Sequence, residues 1–74
     1  SGKVGISGLV NNAYIKIADV NGKLIRELRA NGGSVSWDLL DYNNRRVESG
    51  VYVVFSSEIT GEETYIGKLA VVNQ

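Results

Sequence analysis

The run Gly50-Val51-Tyr52-Val53-Val54-Phe55 constrains this chain more than any other stretch. After the glycine, every residue is β-branched or aromatic, so the run reads as a strand. Both alternating sets are apolar: Tyr52 and Val54 point one way, and Val51, Val53 and Phe55 the other. A strand apolar on both faces belongs inside a sheet and not at its edge. The remaining segments must therefore supply strands on either side of it.

They do so in short pieces. Residues 3–9 read as a first strand, with Val4, Ile6 and Leu9 apolar. Val10-Asn11-Asn12 is a turn. Residues 13–20 alternate cleanly, with Ile15 and Ile17 inward and Tyr14, Lys16 and Ala18 outward. Asn21-Gly22 then predicts a type I′ hairpin, which needs positive φ twice. The returning strand, residues 23–30, breaks parity between Ile25 and Leu28, so either Leu24 is inside or a bulge intervenes. Asn31-Gly32-Gly33 turns the chain into residues 34–38, where Val35 and Trp37 share a face and Trp37, the single tryptophan, anchors packing.

Residues 39–49 are irregular, with Asp41, Asn43 and Asn44 as turn formers and Arg45-Arg46-Val47 as a brief edge strand. Residues 50–57 form the central strand, with Ile59 as an extension past a polar break. Thr60-Gly61-Glu62-Glu63 is a turn. Residues 64–73 form the last strand, with Tyr65, Gly67, Leu69 and Val71 on one face and Ile66, Lys68, Ala70 and Val72 on the other. No helical periodicity, internal repeat or low-complexity segment is visible. The pattern predicts an all-β fold: a small Ig-like antiparallel β-sandwich of six to seven strands. A small barrel of the SH3 or OB type is the alternative, the second disfavoured by the lack of helix.

At 74 residues the chain is expected to form a single domain, residues 1–74, with a thin core. Such a unit fits best as the C-terminal domain of a larger protein, and the start at Ser1-Gly2-Lys3 reads like an excised fragment. Eight basic residues balance eight acidic ones, which gives nucleic-acid binding little electrostatic support. No apolar run is long enough for a transmembrane helix.

Histidine and cysteine are both absent. That removes an imidazole base, a thiolate nucleophile, a disulfide and the ordinary zinc site. Asp38, Asp41 and Asn43 share one loop and could ligate calcium through oxygen, but Leu39 and Leu40 stand where a calcium loop needs polar ligands and glycine. The plainer reading is side-chain to backbone hydrogen bonding within the loop. Glu62 and Glu63 are adjacent carboxylates, yet they lie in a hairpin turn and not in a cleft that could separate their pKa values. Tyr14, Tyr42 and Tyr65 could make an aromatic platform for a sugar, although scattered surface tyrosines are ordinary. The expectation is a protein that is not an enzyme and binds no cofactor or metal.

Three segments in order carry a resemblance. They are Ile15-Lys16-Ile17-Ala18-Asp19-Val20-Asn21-Gly22-Lys23-Leu24-Ile25; then Val35-Ser36-Trp37-Asp38 with residues 41–44 and Val47-Glu48-Ser49-Gly50-Val51-Tyr52; then Lys68-Leu69-Ala70-Val71-Val72. The set resembles the C-terminal sorting domains of the type IX secretion system of Bacteroidetes, which are Ig-like sandwiches. Its middle part also resembles the Ig-like domain of flagellar hook-capping proteins. Lys-Leu-x-Val near the end favours the secretion family. Leu39 replaces the glycine expected after Trp37-Asp38, Asn44 stands at a later glycine and Glu48 at a frequent proline.

The resemblance implies a folded signal that is translocated from the periplasm to the cell surface and becomes associated with the outer membrane or secreted. Its implied partners are the outer-membrane translocon and a shuttle protein, with a sortase-like peptidase and the anionic lipopolysaccharide attachment machinery downstream. Gly50, Tyr52, Lys68, Leu69 and Val71 match the motif and become candidate recognition residues. Structural readings stand beside each: strain relief for Gly50, core packing for Tyr52 and Leu69, edge protection by charge for Lys68. Two further functions remain open, a structural spacer of the hook-capping type and a small carbohydrate-binding sandwich. Edges without proline are also compatible with a homodimer.

Overall fold

The computed structural model describes residues 3–58 and 60–72. Six strands are present among them: β1 Val4–Ile6, β2 Tyr14–Asp19, β3 Leu24–Arg29, β4 Val35–Trp37, β5 Gly50–Ser57 and β6 Glu63–Val71. They form two antiparallel sheets, a two-stranded β1-β4 and a four-stranded β3-β2-β5-β6. This is the expected all-β, sandwich-like domain. β6 ends at Val71 and β5 at Ser57, with Val72 and Glu58 already outside the strands; the expected extension at Ile59 and the expected end at Asn73 lie outside the described residues.

The doubly apolar run occupies an inner position, between β2 and β6. Its core face carries Tyr52 and Val54, both buried, and its other face is only half covered. Ile15 and Ile17 from β2 and Trp37 from β4 are wholly buried between the sheets. Ile6, Leu39, Val47 and Val71 close the cluster around them. Burial of this kind stabilises by roughly 1.5–3 kcal/mol per large side chain, which is why so few residues can hold the domain together.

Several local expectations are corrected. The first strand ends at Ile6 and not at Leu9, because Gly8 takes φ +74° and turns the chain. Leu9 is still fastened, its amide donating to Gly33 O at 2.9 Å. Residues 45–47 make no strand; a single bridge joins Leu40 to Arg46, flanked by backbone bonds from Asp41 N to Arg45 O and from Val47 N to Leu39 O.

The Asn21-Gly22 turn is not type I′, since only Gly22 has positive φ. Gly22 N bonds Asp19 O at 3.0 Å and Asp19 N bonds Lys23 O at 2.9 Å, which makes a three-residue loop, a type I turn followed by a left-handed residue. The Asp19 carboxylate decides this: its Oδ1 accepts the amides of Asn21 and Lys23, each at 2.9 Å. Residues 41–45 repeat the pattern. Asn44 N bonds Asp41 O at 3.0 Å, Asp41 N bonds Arg45 O at 2.9 Å, and Asn44 holds φ +59°. Asp-x-Asn-Gly-Lys and Asp-x-Asn-Asn-Arg are thus one loop used twice, a short repeat that the linear reading passes over.

Both alternatives for Leu24 are settled by a bulge. Ile17 pairs with Arg26 but Ala18 with Leu24, so Ile25 is the extra residue and packs on the core while Leu24 turns outward. A second bulge lies in β6, where Val54 pairs with Gly67 but Phe55 with Tyr65. Ile66 is extra there, and Tyr65 is carried to the face opposite Gly67, Leu69 and Val71.

Candidate recognition surface on the last strand

The five motif residues gather on one short stretch of a single ladder. Gly50 pairs with Val71, Tyr52 with Leu69 and Val53 with Lys68. Their side chains then divide. Tyr52 and Val71 are each 7% exposed and belong to the core, with half-buried Leu69 packed against it. Tyr52 meets Trp37 edge to face at 5.8 Å. Lys68 faces the other way and is exposed, and among the described residues it has no ion-pair partner. Gly50 is exposed as well, with open space where a side chain would stand. A partner approaching this end of the domain therefore meets Lys68, the Gly50 backbone and the rim of β6.

The outer face of the large sheet around Lys68 is apolar in character. Val51 is 41% exposed, Ile66 42% and Tyr65 54%. Tyr65 and Phe55 stack edge to face at 6.1 Å, a cross-strand pair that fixes both rings. Beyond them Lys16 Nζ donates to Glu63 Oε2 at 2.7 Å, joining β2 to β6 across β5. Glu63 holds the Lys16 pKa above its ordinary value, through that hydrogen bond and its charge. The pairing was not readable from residues 47 apart in sequence.

The two edges of the large sheet are treated differently. On the β3 side the loop after β4 covers the strand: Tyr42 N donates to Ile25 O at 3.1 Å. Arg26 Nη1 donates to Asp38 Oδ1 at 3.1 Å and to Leu40 O at 3.0 Å. On the other side β6 is nine residues long and, among the described residues, pairs only with β5. Such an edge offers unpaired backbone donors and acceptors to any strand that can align with it.

The remaining candidates sit elsewhere. Asp41 Oδ1 accepts the amides of Asn43 and Arg45 at 2.8 and 3.0 Å, and Asp38 Oδ1 accepts Leu40 N at 3.2 Å. Their oxygens shape the loop, and among the described residues no group of three or more acidic, histidine or cysteine side chains is placed to hold a metal. Glu62 and Glu63 do not act as a pair, Glu63 being engaged by Lys16. The three tyrosines form no common platform. Tyr42 adjoins β3 and Tyr65 lies on β6, at opposite edges of the sheet, about 14 Å apart at three strand spacings. Tyr14 instead lies under the Arg29 guanidinium, 4.7 Å from ring centre.

No protein-family model and no curated protein matches the chain. Among solved structures it is similar to PorZ, an essential bacterial surface component of the type IX secretion system of Porphyromonas gingivalis. The TM-score is 0.74 and the identity 28%, over 93% of this chain and 9% of PorZ. It is also similar to FlgD of Xanthomonas campestris, a hook-capping protein of flagellar assembly, with TM-score 0.51 and 23% identity over 92% of this chain and 62% of that one. The second likeness shows a shared fold. The first ties the chain, at the level of one small domain, to a component of the type IX secretion system.

Proposed function

We propose that this chain is a non-catalytic signal domain that directs a protein through the type IX secretion system to the bacterial cell surface. The observation that carries the reading is the 28% identical likeness, over 93% of this chain, to a segment of PorZ. The geometry gives the reading a mechanism. The core holds Tyr52, Leu69 and Val71 fixed, and that fixed ladder presents Lys68 beside an uncovered strand edge. The translocon and its shuttle protein read the last strand; the attachment machinery acts afterwards. Recognition of this kind needs no bond chemistry.

The test is a reporter fused to this domain in a bacterium that has the system. The intact fusion reaches the surface. The same fusion with Lys68→Ala and residues 70–74 removed stays in the periplasm, and equal export of both sinks the reading. Lys68→Ala alone separates recognition from folding: at an exposed site it changes stability by less than about 0.5 kcal/mol, yet it lowers export.

The FlgD fold likeness supports a second reading, a structural Ig-like spacer of the hook-capping type. A spacer leaves the reporter unexported even when intact, and its behaviour is indifferent to Lys68.

A further inference from the structure

Two charges lie along the open edge of β6: Glu63, which bridges to Lys16 through Oε2, and Lys68, which has no ion-pair partner among the described residues. Glu63 pairs with Ser57 and Lys68 with Val53, two β5 residues of the same parity, so Glu63 and Lys68 point to the same face. In a straight strand, residues five apart would point to opposite faces. The bulge at Ile66 brings them to one side.

We infer that β6 pairs antiparallel with β6 of a second copy of this chain, in the register that sets Glu63 of each copy opposite Lys68 of the other. In that register Thr64 faces Gly67 and Tyr65 faces Ile66. Faces agree throughout: Glu63 and Lys68 lie on the outer face, while Thr64 and Gly67, opposite Ser56 and Val54, lie on the inner. Each strand contributes one bulge, so the two remain in step. The result is a continuous sheet of eight strands, four from each copy, related by a two-fold axis that passes between the two β6 strands, level with Tyr65 and Ile66.

Three features select a second copy as the occupant. The charges are self-complementary under that two-fold, and an antiparallel register that sets like residues opposite, Lys68 on Lys68 or Glu63 on Glu63, puts like charges in contact. Lys68 has no ion-pair partner among the described residues, and the pairing supplies one. The opposite edge, β3, is already covered by the loop through Leu40 and Tyr42, which Arg26 of β3 anchors, so assembly stops at two copies and does not run on into a fibre.

The experiment uses the purified 74-residue chain alone and is independent of the secretion reading. Sedimentation velocity across a concentration series shows a monomer–dimer equilibrium for the parent chain. Glu63→Lys makes the facing pairs all basic and Lys68→Glu makes them all acidic; each weakens self-association by roughly tenfold or more. Mixed in equal amounts, the two variants form a heterodimer, because each facing pair is again one acid and one base. A parent chain that stays monomeric into the millimolar range overturns the inference. So do single variants that dimerise as well as the parent, or a mixture that remains monomeric. The mixing step also guards against misfolding, since a variant that had lost its fold could not be rescued by the other.

Discussion

The phenol of Tyr52 reaches back four residues and donates a 2.6 Å hydrogen bond to the backbone carbonyl of Glu48. A tyrosine at the start of a strand, bonded to the chain just upstream, is the tyrosine corner of Ig-type sandwiches. Here it fixes the end of residues 39–49 against β5 while its ring meets Trp37. Tyr52→Phe keeps the ring and removes the bond, at about 1 kcal/mol in a urea titration followed by Trp37 fluorescence. Burial of the phenol, with Glu48 and Asp19 near it, holds its pKa above the ordinary value. The folded state keeps the proton longer than the unfolded chain does. This contribution is full below the unfolded value of about 10 and is lost as pH rises through the folded one. The gap between parent and Tyr52→Phe therefore narrows at alkaline pH.

Leu39 stands at φ +64°, at the position after Trp37-Asp38 where the sequence resemblance implies glycine. The left-handed region costs a leucine about 1–2 kcal/mol. Its side chain is only 7% exposed, however, and losing a buried leucine costs about 3–5 kcal/mol. Burial wins. Leu39→Gly relieves the backbone yet destabilises the domain by about 2 kcal/mol net, read as a lower urea midpoint. A stabilised Leu39→Gly would show that the side chain contributes little to the core.

The twin loops predict opposite signs for one exchange. Gly22 and Asn44 hold equivalent places, at φ +85° and +59°. Asn44→Gly stabilises and Gly22→Asn destabilises, each by less than about 1 kcal/mol, and the double exchange nearly cancels. Thermal melts of the three variants check this; equal signs for the two single changes would mean that the loops are not equivalent.

Asp41 gives the acid limb of stability. The Arg45 amide foremost, and that of Asn43, hold its carboxyl below the ordinary value. The folded carboxylate takes up a proton less readily than the unfolded one. Its contribution is present above the unfolded value of about 3.9 and is lost as pH falls through the folded one. Asp41→Ala lowers the urea midpoint at neutral pH, and the difference from the parent fades at the acid end of a pH series.

What the sequence disclosed and what it withheld follow from the range of the forces involved. The inner place of β5 and the anchoring by Trp37 were legible, because each rests on the polarity of consecutive or alternate residues. The Asn-Gly pair alone points to a type I′ turn, but the Asp19 carboxylate captures two amides and lengthens the loop. The face of Tyr65 was misjudged because a bulge is a fact about two strands, and only the register against β5 exposes Ile66 as the extra residue. At the recognition surface the division of the motif residues was legible from alternation, Tyr52, Leu69 and Val71 going to the core and Lys68 to the outer face. The Lys16–Glu63 bridge was not legible, because it needs the order of three strands to be known.

The bulge at Ile66 acts on whatever pairs with β6 as a shift of reading frame. A straight strand laid along this edge can match the side chains on one side of Ile66 and must skip a residue to match those on the other. A strand carrying its own irregularity at the corresponding place reads through without a skip. The edge is thereby open to pairing and still selective about length and spacing, so that one misplaced residue in β6 discriminates among strands that offer identical backbones.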